Sequence, residues 1–408
     1  MKYAMKLLGL SLLILWNAIL CRAASEQTLY TFTGGNDGGN PYAGLIFDSK
    51  GNLYGTTVYG GTYAYGTVFE LSPGPNGQWT ENALHSFNPN EQDGIRPYAS
   101  LIMDATGNLY GTTEYGGLYG QGTVFEISPG PDGWTEQILH DFNPNGTDGF
   151  NPYANLIFDK HGNLYGTTYV GGNQDGGTVF ELAPNPNGTW QETIIYNFDG
   201  TNGDGVYGGV VRDGSGNLYG TAQYGGEYRQ GTVFELKHLP KSKWQIILLH
   251  SFDSENGDAF QPYSGLAIDK AGRLYGTTLY GGNDWPYGAV FEMKRVKGVW
   301  QESVIHSFNN TNDGFNPYGP LAIDSAGRLY GTTLESFIDG TAGAGTVFQL
   351  TLKKQNWDET ILYQFSANGT APGDPYCGVV LDSSGNIYGT TYYGGVPEGN
   401  GAVFEVTP

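Results

Sequence analysis

The sequence predicts an all-β chain folded as a seven-bladed β-propeller, each blade a four-stranded antiparallel sheet. Three observations carry this. The stretch Gly-Asn-Leu-Tyr-Gly-Thr-Thr at Gly51–Thr57 returns at Gly107, Gly162, Gly216, Gly272, Gly327 and Gly385, its tyrosines 54 to 58 residues apart, which marks a repeat architecture. Each repeat divides into four strand-like runs separated by turn residues. The two ends of the chain hold complementary parts of one repeat.

In the second repeat, Tyr98 to Asp104 is a short apolar run closed by the turn residues Asp104, Gly107 and Asn108. Leu109 to Tyr115 follows, rich in the strand formers Thr and Tyr. A glycine-rich loop over 116–122 leads into Gly-Thr-Val-Phe-Glu-Ile at Gly122–Ile127. A turn over 128–133 opens the fourth run, Trp134 to Phe142. No stretch after residue 24 carries a helical period. Blade faces pack on neighbouring blades, which accounts for the weak polar alternation.

The fourth run follows one rule: Trp, five residues, His or Tyr, one residue, Phe. It fits six times, from Trp79-His85-Phe87 to Trp357-Tyr363-Phe365, although there are seven repeats. The chain stops after a third run, Gly401–Val406, while Leu29-Tyr30-Thr31-Phe32 matches the missing ending. Residues 28–32 are therefore expected beside 401–406, completing the blade that starts near residue 375 and leaving no open sheet edge. A solenoid, the rival architecture, has no reason to split a repeat between its ends. The expected organisation is a signal peptide over 1–24 and a single propeller over 25–408, with repeats starting near 41, 97, 152, 206, 262, 317 and 375.

Lys2 and Lys6, the apolar run Leu7–Leu20 and the small residues Ala23 and Ala24 have the three-part pattern of a secretory leader, too short for a membrane span. Cys377 is the only cysteine outside it, so no internal disulfide is expected. A net charge of -21 argues against nucleic acid and anionic membrane as partners. The expected setting is exported, periplasmic or extracellular, with no membrane span after the leader, and the expected state is a monomer.

Tyr42, Tyr98, Tyr153, Tyr207, Tyr263, Tyr318 and Tyr376 open the innermost strands and are followed by small residues. The small residues answer crowding at the axis. The tyrosines either pack there or surround a ligand, so Tyr42, Tyr98 and Tyr153 are ligand candidates. The repeats differ most in the loop between second and third strands, which holds Tyr59, Tyr63, Tyr115, Tyr119, Tyr224, Tyr228, Tyr280, Trp285 and Tyr393. Aromatic platforms beside Asn, Asp and Gly suit sugar rings or an extended peptide. The plain alternative is that Tyr-Gly-Gly only shapes a tight turn.

Asp37, Asp93, Asp148, Asp258 and Asp313 lie in oxygen-rich loops before the innermost strand. They are the weak metal candidates, with calcium the ion such loops suit and ordinary turn formation the alternative. Otherwise no cofactor is expected. The aspartates before each Gly-Asn-Leu-Tyr and the glutamates of Phe-Glu-Leu recur in nearly every repeat and read as structural. His85, His140, His250 and His306 share a position that Tyr also fills and read as strand packing, not a metal cluster. Catalysis would need singular acids. Glu114, Asp175, Glu227, Asp284, Glu335, Asp339 and Glu398, with Arg229, sit on separate loops without a nucleophile motif. Catalytic residues are therefore none by this reading.

The unit Gly-Asn-Leu-Tyr-Gly-Thr-Thr-x-Tyr-Gly-Gly … Gly-Thr-Val-Phe-Glu-Leu resembles the GloVer tandem-repeat family of exported bacterial proteins first noticed in Gloeobacter and Verrucomicrobia. The resemblance covers nearly all of the chain after the leader and brings no catalytic residues with it. The expected function is an exported binding module for glycan or protein on a tyrosine-rich loop face. The alternatives are a carbohydrate-active hydrolase or lyase using the divergent acids, and a purely structural envelope protein.

Overall fold

The computed structural model describes residues 24–408 apart from 256, 284, 285, 310 and 396–398. The expected leader lies outside the described residues, except for Ala24. Among the described residues seven large antiparallel sheets succeed one another, six of four strands and one extended to six, with three two-stranded ladders beside them. In the first, Ile46–Phe47, Leu53–Thr57, Thr67–Pro73 and Trp79–Ser86 run in sequence order from the axis to the rim. The seventh is spliced as expected. Ser25–Thr31 pairs with Ala402–Thr407, Ser25 opposite Thr407 and Thr31 opposite Ala402. The Phe32 amide continues the ladder by donating to Gly401 O at 3.0 Å. The paired strand begins earlier than residue 28, because Ser25 to Gln27 occupy the outer half of the same ladder.

The innermost strands are shorter than the sequence suggests. Only two residues of each pair with the second strand, as at Ile102–Met103, while the Tyr-small segment before them stands outside the ladder. Seven such segments converge on the axis and leave no room for sheet partners. Their carbonyls are satisfied across the seams instead. The first threonine of Gly-Thr-Thr donates to the next blade: Thr56 to Pro97 O, Thr112 to Ala154 O, Thr167 to Gly208 O, Thr221 to Ser264 O, Thr277 to Gly319 O and Thr332 to Cys377 O. Thr390 donates to Ala43 O at 2.9 Å and shuts the circle.

The rest of the repeated stretch is explained residue by residue. Gly51 sits at φ +88°, a turn conformation that disfavours a side chain. Asp48 closes that turn by accepting from the Lys50 and Asn52 amides and the Asn52 side chain. Leu53 is fully buried. The Tyr54 hydroxyl donates to Glu70 at 2.9 Å, so the recurrent glutamate is the cap of the recurrent tyrosine. A Cβ on Gly55 would stand 2.6 Å from the Phe69 ring, so glycine is the seat of that ring. Thr57 pairs with Thr67 at 2.8 Å and starts the third strand.

The core is divided into seven apolar clusters, one per seam. Phe32, Phe87, Phe142, Phe198, Phe252 and Phe308 are completely buried in them. Each contributes roughly 1.5–3 kcal/mol by leaving water. A β-bulge interrupts every outer strand, as between Val68 and Phe69, where Leu84 is the extra residue. The extra residue reverses which way the following side chains point. Trp134 and Glu136, ahead of the bulge, face the preceding blade; His85 and Phe87, beyond it, face the following one. One outer strand thus serves two seams.

Candidate functional site

The loop before each innermost strand pairs with the loop between second and third strands of the same blade. Gly94–Ile95 pairs with Tyr115–Gly116, Gly149–Phe150 with Val170–Gly171, and Gly39 bridges Tyr59. These small ladders place the two variable loops of each blade on one face and fix their tyrosines.

The tyrosines form three tiers. At the axis, Tyr42 contacts Tyr98 and Tyr376, Tyr153 stacks on Tyr207 at 4.5 Å, and Tyr207 and Tyr263 approach to 4.0 Å. The hydroxyls of Tyr42 and Tyr207 meet across the axis at 3.3 Å. The candidates Tyr42, Tyr98 and Tyr153 therefore belong to a plug of half-buried rings, and burial holds the phenols of all three well above their ordinary range. Tyr59, Tyr115, Tyr224, Tyr280 and Tyr393 begin the loops around it. Arg96 lies between the rings of Tyr59 and Tyr115, 5.6 and 5.8 Å from their centroids. Farther out, Tyr63, Tyr119 and Tyr228 are 45%, 47% and 48% exposed. Trp285 lies outside the described residues.

At the rim the same face dips into clefts between blades. One is lined by Tyr119, His140, Asp148, Trp190 and Glu192, and its counterpart by Tyr63, His85, Asp93 and Glu136. Among the described residues four seams share this constitution: His85, Asp93, Glu136; His140, Asp148, Glu192; His250, Asp258, Glu302; and His306, Asp313, Glu359, each set with its donor atoms within 4.8 Å of one another. The imidazole comes from one blade, the glutamate from the next and the aspartate from the loop that joins them. Each aspartate is pinned by a backbone amide, as Asp93 by Asn88 N at 2.8 Å and Asp148 by Asn143 N at 2.9 Å.

Two carboxylates and an imidazole in a half-buried cleft favour positive charge. Burial opposes the His140 imidazolium, but Asp148, Glu192 and Asp141 outweigh it and hold its pKa above the ordinary value. Burial, then Asp258, pushes Glu302 up to about 7. Glu192 and Glu359 are raised in the same way, by burial first and then by the facing aspartate.

The remaining seams carry tyrosine in place of histidine. Tyr196 accepts from Asn202, and Ile246 replaces the glutamate. Tyr363 faces Glu26. Tyr30 donates to Asp37 at 3.0 Å beside Glu81, whose Oε1 is buried without a hydrogen-bond partner. Burial and then Asp37 push Glu81 up to about 7. An unfolded glutamate titrates near about 4.3, so the folded chain holds this proton more tightly. The resulting stability is complete below that pH and is lost as pH rises toward 7. Glu81→Gln is expected to remove this loss, raising stability relative to the native chain by roughly 1–2 kcal/mol at pH 8 and much less at pH 4.5, with allowance for its solvent contact. Urea unfolding at both pH values checks it; an equal difference at the two would refute the assignment.

All five aspartates singled out from the sequence reach seams, and the histidines do more than pack within their strands: they turn into the clefts. The glutamates were missed because they lie a blade away in the chain. A signal existed, since the residue two after Trp is Glu in the repeat following every His-type seam. Among the divergent acids, Asp284 and Glu398 lie outside the described residues. Glu114 is buried and receives the Tyr153 hydroxyl. Glu335 has Asp374 as its carboxylate neighbour, which is raised by burial and then by Glu335. Asp175, Glu227, Arg229 and Asp339 are exposed on their separate loops.

No helix among the described residues is long and apolar enough to cross a membrane. No curated protein matches the chain at a significant level. Among solved structures it is similar to one described as the extracellular domain of a hybrid two-component system, BT4673, from B. thetaiotaomicron, with a TM-score of 0.55, 12% identity, and coverage of 93% of this chain and 39% of that one. It is also similar to PorZ, a surface component of the type-IX secretion system of Porphyromonas gingivalis, with a TM-score of 0.52, 14% identity, and coverage of 90% and 46%. The chain thus spans less than half the length of either, and the likeness is one of fold. The model of the Gloeobacter/Verrucomicrobia repeat matches residues 19–212, 130–301 and 262–408, and the chain belongs to that family.

Proposed function

We propose that the protein is an exported interaction module that holds a glycan, or an extended stretch of partner protein, against its tyrosine-rich loop face. The exported setting rests on the apolar leader of the sequence. One observation carries the binding reading: Tyr59, Tyr63, Tyr65, Tyr119, Tyr224, Tyr228, Phe337 and Tyr393, the exposed aromatic side chains among the described residues, all lie on the loops between second and third strands. Rings placed only to fill turns would be covered. These are exposed, and Tyr119 and Tyr224 share their clefts with Asn and Asp side chains, the combination that stacks sugars or anchors a peptide.

A glycan array, followed by titration of the best ligand, tests it. The triple variant Tyr63→Ala, Tyr119→Ala, Tyr228→Ala is expected to bind at least about tenfold more weakly with an unchanged melting temperature. Undiminished binding by the variant would remove these rings from the site. Silence of the native chain against both glycans and envelope proteins would leave the purely structural reading.

A further inference from the structure

We propose that the four His–Asp–Glu seams are binding sites for a divalent ion of the zinc class, each ion joining two neighbouring blades. Tyr63 and Tyr119 line two of the same clefts, but none of the three ligating side chains of a seam is a ring of the loop face. Bonds of about 2.0–2.1 Å around a tetrahedral centre separate the donor atoms by about 3.3–3.5 Å. His306 Nε2 stands 3.4 Å from Asp313 Oδ2 and 3.6 Å from Glu359 Oε1. His140 Nε2 stands 3.2 Å from Asp148 Oδ2 and 3.6 Å from Glu192 Oε1. His85 repeats the pattern at 3.0 and 3.7 Å.

The second observation concerns unpartnered atoms. The Oδ1 atoms of Asp93, Asp148, Asp258 and Asp313 are buried without a hydrogen-bond partner, as are Oε1 of Glu192, Glu302 and Glu359 and Nε2 of His306. The side chains of Asp93, Asp148 and Asp313 are only 5%, 7% and 3% exposed. Buried carboxylate oxygens left bare cost free energy, and here they face a further carboxylate. A cation offsets the facing negative charges, and Oε1 of Glu192 and Glu359 is at once bare and 3.6 Å from the imidazole nitrogen, placed to share an ion with it. An imidazole nitrogen among the donors selects zinc-like ions over calcium, which takes an all-oxygen shell. Three protein donors leave a fourth position for water. The four sites would supply cross-links between blades that Cys377, the single thiol among the described residues, cannot supply by disulfides.

The chain, purified without an affinity tag and stripped with chelator, is titrated with Zn²⁺, Mn²⁺ and Ca²⁺ while bound metal and melting temperature are followed. The expected result is four Zn²⁺ per chain, one per seam, with a melting temperature that rises with zinc and returns on chelation. Calcium is expected to do neither. Replacing Glu136, Glu192, Glu302 and Glu359 together by Gln is expected to abolish binding while leaving a cooperative melt, because each amide can donate to the facing aspartate. Should that variant not fold, Glu359→Gln alone decides, and the count must fall by one. No zinc on the stripped native chain, a zinc count unchanged by the substitutions, or calcium acting as well as zinc would overturn the proposal and leave the clusters as proton-bridged carboxyl pairs.

Discussion

Deleting residues 24–33 is expected to abolish cooperative folding of the ring. The deletion removes the whole outer strand of the seventh blade, whose residues pair from Ser25 opposite Thr407 to Thr31 opposite Ala402. It removes Phe32, fully buried against Phe69 with ring centroids 5.1 Å apart, and Leu29, 8% exposed. Truncating one such phenylalanine alone costs about 3–5 kcal/mol. The deletion adds the loss of Leu29, of the ladder hydrogen bonds and of the Tyr30–Asp37 contact, and it lays open the edge beside Val403 and Phe404. Together these losses reach the whole stability of an ordinary domain, about 5–15 kcal/mol. Circular dichroism melts and size-exclusion chromatography check the outcome. A synthetic peptide of residues 24–33 should restore a cooperative melt in trans. A truncated chain that melts cooperatively at the native temperature would refute the closure.

The second large effect lies in the glycine of Tyr-Gly-Thr. A Cβ on Gly166 would stand 2.4 Å from Phe180 Cζ and 2.8 Å from Leu156 Cδ2. Gly166→Ala is expected to cost about 1–3 kcal/mol by overpacking. Phe180→Ala is expected to cost about 3–5 kcal/mol through lost burial and the cavity left. Combined, they should cost clearly less than the sum, since the new methyl enters the space the ring vacates. Denaturant unfolding of the four members of this cycle measures the coupling. Strict additivity would mean that the glycine is retained for some reason other than the ring.

The architecture was legible because repetition multiplies weak signals. One short strand such as Leu109–Thr113 decides nothing, but seven copies, with a severed fourth strand at one end, fix a closed circle. The axial plug was half legible. Seven tyrosines at one repeat position announced a ring, but only geometry shows that Tyr42 reaches Tyr207 across the centre. The innermost strands are shorter than the pattern suggests because the segment before Ile102 is apolar but unpaired; carbonyls of Pro97 and Ala99 take the Thr56 hydroxyl of the adjacent blade instead. The seam clusters were the least legible part. His85 and Asp93 are close in the chain, but Glu136 arrives from the next repeat, and the bulge that turns His85 toward it leaves no mark in composition.

The splice of the last blade also governs how the molecule answers force. Ser25 and Thr407 are direct cross-strand partners at one end of an antiparallel ladder. Tension applied at these two points does not shear the ladder along its length. It parts the ladder from that end, breaking one pair of contacts before loading the next. The closure is therefore a mechanically soft point: it unzips under a pull applied at Ser25 and Thr407.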